Sequence, residues 1–261
     1  LKTKVIAVAN QKGGVGKTTT TINLAAALAE LGHRSLIIDI DPQGNASTGL
    51  GSDPESRDLT TYDLLFEDVG LDAASIPTDV ENLDIIVSNT DLSSVDLDLV
   101  TQENRSFLLK EILRSDASTL AGYEYIFLDC PPSLNILTIN AIVAADSILV
   151  PLQSEFFALE GLSQLMVTIR EIRETANPEL RIEGVVLTMF DKRNNLSLQV
   201  EKDAREHLGH LVFDTRIPRN VRLSEAPSHG LSVHEYDRYS IGAQAYRRLA
   251  HEIINKNKEL G

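Results

Sequence analysis

Short apolar runs bounded by turn residues recur along the chain, with longer helix-periodic stretches between them. The runs are Val5 to Ala9, Ser35 to Ile40, Leu83 to Val87, Tyr125 to Leu128, Ser147 to Leu152, Gly184 to Met189 and Leu211 to Phe213. Strand-length runs alternating with helices predict a parallel sheet flanked by helices. Leu24, Leu28 and Leu31, spaced i, i+4, i+7, mark one helix that stops at Gly32, and Leu159 to Thr175 reads as another that ends before Asn177-Pro178. The expected fold class is therefore α/β: a doubly wound, mostly parallel sheet with helices on both faces. No linker, internal repeat or low-complexity tract interrupts the pattern. With 43% hydrophobic residues, 261 positions can supply one large core, so a single domain spanning 1–261 is expected.

The segment after the first apolar run carries the densest chemistry. Residues 10–21 read Asn-Gln-Lys-Gly-Gly-Val-Gly-Lys-Thr-Thr-Thr-Thr. Gly13, Gly14 and Gly16 let backbone N–H groups approach phosphate oxygens without Cβ clashes, and Val15 lies among them. Lys17 adds a point charge for β- and γ-phosphates. Thr18 offers a hydroxyl to Mg²⁺, and the helix that begins through Thr18 and Thr19 aims its N-terminus at the anion. The general pattern GxxxxGK[ST] would put glycine at position 11, where this chain has Gln11, and a second lysine, Lys12, precedes the Gly-Gly pair. Lys12 leaves the strand before the loop has turned, so it is poorly placed for its own nucleotide. It is either a solvated surface charge or a group that serves a nucleotide bound to a second copy of the chain.

Two further strand ends carry carboxylates. Asp129 closes Tyr125–Leu128 in the context of a magnesium-holding aspartate, although a helix cap is the alternative and Ser133 competes for that role. Asp39 and Asp41 flank Ile40 and are expected on opposite faces, with only one toward the phosphate, while Asp41-Pro42 also reads as a turn starter. All three loops follow strands, and ligands in such sheets collect at the strands' carboxyl ends, so the loops converge on one crevice.

KGGVGKTT with a lysine ahead of the glycines resembles the deviant Walker A loop of the ParA/MinD group of P-loop ATPases. Asp39-Ile40-Asp41-Pro42-Gln43-Gly44-Asn45, Leu128-Asp129-Cys130-Pro131-Pro132-Ser133, Glu155-Phe156-Phe157-Ala158-Leu159-Glu160-Gly161 and the segment from Ile217 to Ser228 narrow it. Together they resemble the chromosome-partitioning ParA (Soj) family from about residue 4 to about 255. The resemblance implies ATP and Mg²⁺ as cofactors, with Thr18, Asp39 and Asp129 around the metal. It assigns catalysis to Lys12, Lys17 and Asp41, Asp41 positioning the attacking water. It implies that Lys12 crosses to the phosphates of a facing protomer in an ATP-dependent homodimer, and that Pro218 and Asn220 contact the adenine. Non-specific DNA is the implied cargo track, with Arg193 and Arg222 matching positions used by the family. A ParB-type partner would stimulate slow hydrolysis in chromosome or plasmid partitioning. Phe156 and Phe157 are expected either as buried aromatics or near the dimer seam.

Charge changes the picture in one respect. The formal net charge is −14, yet residues 53 to 103 hold fourteen acidic side chains against Arg57 alone, whereas residues 181 to 261 hold thirteen basic and eleven acidic ones. An acidic protein with such asymmetry can present a local basic face, and Lys192, Arg193, Arg219, Arg222, Arg247 and Arg248 are its candidates. Without a helix-turn-helix or aromatic-basic interleaving, phosphate contact rather than base readout is expected. No run approaches 18 apolar residues and no leader is recognisable, so the expectation is a cytoplasmic protein, on the nucleoid when ATP-bound, with no membrane partner. A membrane-cycling, MinD-like regulator would need an amphipathic C-terminal helix; residues 242–261 supply Ala245, Leu249, Ile253 and Ile254 opposite basic residues but no Phe or Trp. Cys130, the only cysteine, excludes an internal disulfide and cannot supply the two thiolates per chain that a bridging iron–sulfur cluster needs.

Overall fold

The computed structural model describes residues 3–67, 69–95, 99, 104–115, 120, 122–155 and 158–260. Its first half comprises β1 (Lys4–Val8), α1 (Lys17–Glu30), β2 (Ser35–Asp39), α2 (Asn45–Gly49), α3 (Thr61–Phe66), α4 (Leu71–Ala74), β3 (Ile76–Pro77), β4 (Leu83–Ile86), α5 (Leu108–Ser115) and β5 (Tyr125–Asp129). There follow α6 (Ile136–Ala144), β6 (Ser147–Gln153), α7 (Ala158–Thr175), β7 (Arg181–Phe190), α8 (Asn195–Leu208), β8 (Val212–Pro218), α9 (Val221–Glu225), α10 (Val233–Tyr236) and α11 (Ile241–Leu260). Phe156 and Phe157 lie outside the described residues, as do Asp68, Asp96, Asp98 and Glu103 of the acidic segment.

Eight strands form one sheet in the order β3-β4-β2-β5-β1-β6-β7-β8, parallel throughout except for β3, which runs antiparallel on β4. All seven expected runs are strands. β3 was not foreseen: two residues carry no periodicity, and Pro77 suits an edge because it has no N–H to donate. The last strand was expected over Leu211 to Phe213, but it runs Val212–Pro218, because on this edge Asp214 and Arg216 face solvent and break the apolar run. Leu211 belongs instead to a preceding 3₁₀ turn.

Pleating divides the core. Val5 and Ala7 of β1, with Ala9 just beyond it, join one cluster beneath α3 to α8, while Ile6 and Val8 join a second beneath α1, α10 and α11. Helices therefore cover both faces. α1 is buried through Ala25–Ala29 and stops where Gly32 adopts φ +87°, where no side chain is tolerated at low cost. Asn135, not Ser133, caps α6, its side chain accepting from the Thr138 N–H at 3.1 Å. The apolar face of α11 is spent on the sheet, since Ala245, Leu249 and Ile253 are fully buried.

Candidate functional site

Register brings the chemistry together. Val8 pairs with Asp129 and Asp39 pairs with Asp129, so β1, β2 and β5 end side by side and their following loops open on the same edge. Strands that diverge to either side of β1 leave the crevice there, where this class of sheet receives ligands.

The loop from Asn10 to Lys17 is anchored at both ends. The Asn10 side chain donates to the Pro151 carbonyl at 2.8 Å and accepts from the Lys12 N–H at 3.1 Å. The Val15 carbonyl accepts from the Thr188 hydroxyl at 2.8 Å, which fixes the loop's far side against β7. Gly14 and Gly16 take φ of +73° and +86°, a left-handed turn that bends the chain from strand into helix and disfavours any side chain there. Gly13 and Gly14 are exposed. No side chain caps α1, so its first-turn N–H groups have the open, positively polarised end suited to an anion.

Lys17 is buried and donates from Nζ to the Lys12 carbonyl at 3.1 Å. Burial lowers its pKa, opposed by the nearby carboxylates of Asp129 and Asp41. Asp129, fully buried, accepts from the Thr18 hydroxyl at 2.8 Å and from the Thr21 hydroxyl at 2.7 Å. Desolvation pushes its pKa up, and the charge of Asp39 pushes it further. Cys130 is buried beside it, its thiol pKa raised well above normal by burial, which makes it inert packing.

Asp39 is equally buried and is held by three donors: the Ser47 N–H at 2.9 Å, the Ser47 hydroxyl at 2.6 Å and the Asp41 N–H at 3.2 Å. Burial is the main cause of its raised pKa. The expectation of opposite faces does not hold: residues i and i+2 of a strand share a face, and β2 ends at Asp39, so Asp41 lies beyond the pleat in a turn where it accepts from the Gln43 N–H at 3.0 Å. The Ser88 hydroxyl donates to the Asp41 carbonyl at 2.6 Å, and the Ser88 N–H donates to the Ser47 hydroxyl at 2.9 Å. The Ser47 and Ser88 link joins residues 41 apart, and no sequence signal announces it. Thr21 was legible in principle, because i, i+3 spacing sets it on the same helix face as Thr18.

Around this centre, the Lys12 side chain points to the rim, about two-fifths exposed, and its Nζ pairs with the Glu155 carboxylate at 2.7 Å. Glu155 is a partner that sequence reasoning did not single out. Pro218 ends β8 opposite Phe190, and Asn220 caps α9, accepting from the Arg222 N–H at 2.9 Å. Arg193 is exposed and forked on Asp191 through two bonds of 3.0 Å; Arg222 pairs with Glu225 at 2.8 Å and Asp237 at 3.4 Å. Arg219 and Arg248 are exposed, whereas Arg247 is tied to Glu30 at 2.9 Å and to the Arg238 carbonyl at 2.6 Å.

The donors fit magnesium. Thr18 and Asp129 supply hard oxygen atoms at the helix N-terminus, and among the described residues there is no cluster of three His, Cys, Asp or Glu to cage a metal with protein ligands alone. Mg²⁺ commonly uses one or two protein oxygens together with substrate phosphates, which is the arrangement this donor set suits.

A glycine loop turning from a central parallel strand into an uncapped buried helix, with strand-end carboxylates beside it, defines a P-loop nucleoside triphosphatase. The family model described as an AAA domain matches residues 3–182. The chromosome partitioning protein ParA of Caulobacter vibrioides is 53% identical over 256 residues, covering 98% of this chain and 96% of that protein. The sporulation initiation inhibitor protein Soj of Bacillus subtilis is 48% identical over 250 residues, covering 96% and 98%. Among solved structures, a Mycobacterium smegmatis protein described as cobyrinic acid a,c-diamide synthase, with bound ADP and magnesium, aligns with a TM-score of 0.85 at 36% identity over 98% and 96% of the two chains. The cell division ATPase MinD of Pyrococcus furiosus aligns with a TM-score of 0.79 at 25% identity over 97% and 98%. The chain belongs to the ParA/Soj family of chromosome-partitioning ATPases.

Proposed function

We propose that this ATPase is a dimerising switch: ATP and Mg²⁺ bind at the glycine loop, two ATP-bound copies face each other, and the dimer holds DNA without regard to sequence until hydrolysis releases it. The observation that carries the reading is the unequal placement of two lysines in one loop. Lys17 is buried against the loop's own backbone, while Lys12 stands at the rim on an exposed ion pair. Lys17, the amides of residues 13–19 and the open end of α1 hold the phosphates of the same chain. Lys12 exchanges Glu155 for the phosphates of the facing copy, which makes the nucleotide part of the interface.

Thr18 and Asp129 hold magnesium, with Asp39 behind them; the bound ion neutralises charge on the phosphate oxygens. Asp41, steadied through its carbonyl by Ser88, orients the attacking water. Pro218 and Asn220 contact the adenine, and Arg193, Arg219 and Arg222 contact DNA phosphates, the two paired arginines exchanging carboxylates for phosphate. A ParB-type partner accelerates an intrinsically slow hydrolysis, and the cargo is a chromosome or plasmid. A MinD-like membrane cycle is disfavoured because the apolar face of α11 is already buried on the sheet.

Cosedimentation tests the switch. The chain is mixed with random-sequence DNA or with anionic liposomes, each with ATP or ADP. Retention on DNA with ATP alone is expected. Retention on liposomes, or equal retention with ADP, overturns the reading.

A further inference from the structure

Among the described residues, the three most exposed of the large hydrophobic side chains come from neighbouring segments. Tyr239 is 79% exposed, Val221 63% and Ile241 55%. They come from two segments that pack on each other: α9 follows Arg219 and Asn220, and the turn before α11 lies against it, with Arg222 paired to Asp237. Ile241 also forms a wall of a cleft of about 400 Å³ whose other walls include Lys192, Arg193 and Arg219. Phe190 and Pro218 floor this cleft, and the Arg216 guanidinium lies 5.4 Å over the Phe190 ring.

Charge around the cleft is cationic after pairing. Asp191 is occupied by Arg193, and Arg216 shares the Glu201 carboxylate with Arg205. Lys192 and Arg219 have no ion-pair partner within 4.0 Å among the described residues, and Arg238 stacks over the Tyr239 ring at 5.7 Å. An exposed apolar patch beside a cationic cleft marks a binding surface. A symmetric contact of this surface with itself would oppose like charges, which argues against a second copy as its occupant. On a chain of net charge −14, a polyanion has few other places to settle.

Resting on the DNA-binding reading above, we infer that Tyr239, Ile241 and Val221 form an apolar contact with duplex DNA. They pack on deoxyribose and base edges while Lys192, Arg193 and Arg219 hold the flanking phosphates. DNA retention then has a part that salt does not remove, because apolar contact releases no counterions.

The test is fluorescence anisotropy of a random-sequence duplex with the full chain and a non-hydrolysed ATP analogue, over about 50 to 200 mM salt. Tyr239→Ala is expected to weaken binding about tenfold at every salt concentration, giving a line parallel to that of the unmodified chain. Tyr239→Phe retains the affinity. Arg219→Ala instead flattens the salt slope by about 0.9. Unchanged affinity in Tyr239→Ala, or a flattened slope, overturns the inference. Loss of the ATP-dependent dimer in light scattering by Tyr239→Ala also overturns it and assigns the patch to protein contact. If the unmodified chain leaves the duplex free, the DNA-binding reading fails and this inference with it.

Discussion

Replacing Lys12 by alanine separates its two candidate roles, because its side chain and its backbone do different things. The carbonyl of residue 12 accepts from Lys17 at 3.1 Å and its N–H donates to Asn10 at 3.1 Å, and both bonds survive truncation. The side chain contributes only the pair with Glu155, whose members are 39% and 46% exposed, so its loss costs no more than about 1 kcal/mol. For a chain of this size that moves the melting temperature by no more than about 4 °C. If Lys12 reaches the phosphates of a facing copy, each dimer loses two charge-assisted contacts. At about 1.5–3 kcal/mol each, the dimer is weakened by about 3–6 kcal/mol, roughly 150- to 25,000-fold in dissociation constant. Light scattering with a non-hydrolysed ATP analogue reads the dimer, calorimetry reads nucleotide binding by the monomer, and thermal unfolding controls for stability. The expected Lys12→Ala protein binds the analogue, melts near the unmodified chain and stays monomeric. A variant that dimerises at unmodified concentrations removes the cross-interface role and leaves an ordinary surface charge.

Two other substitutions test the site and the fold separately. Asp41→Ala should slow hydrolysis by two orders of magnitude or so while sparing ATP affinity, because Ser88 still holds the Asp41 carbonyl when the carboxylate's bond to the Gln43 N–H is lost; undiminished turnover, or a monomer with ATP, counts against the water-orienting role. Gly184→Ala places a Cβ 2.3 Å from the Phe213 ring between β7 and β8, an overpacking worth about 1–3 kcal/mol that should lower the melting temperature by several degrees, and Phe213→Leu in the same chain should recover part of it; an unshifted melting curve would show that this edge yields freely.

Local pattern determined a great deal about this protein. Seven apolar runs, the helix stop at Gly32 and the glycine-lysine loop could each be read where they stand, because strand periodicity, left-handed backbone and phosphate cradling act over a few residues. Asp129 was legible for the same reason, as a charge closing an apolar strand. The edges of the sheet were less legible: half-exposed β8 mixes polar residues into its run, and β3 is too short to have a pattern. Tertiary structure decided everything that depends on residues meeting across the fold. Only the sheet register sets Asp39 beside Asp129, and only packing links Ser47 to Ser88 and turns Lys12 toward Glu155. Arg193 with Asp191 and Arg222 with Glu225 are neighbours along the chain, but the pairing of Arg222 with Asp237, and the gathering of Tyr239 and Val221 beside a cationic cleft, follow from how β7, β8 and α11 come together. A sequence states which groups exist and what their neighbours along the chain permit; distances between groups far apart along it are set by how the strands and helices pack.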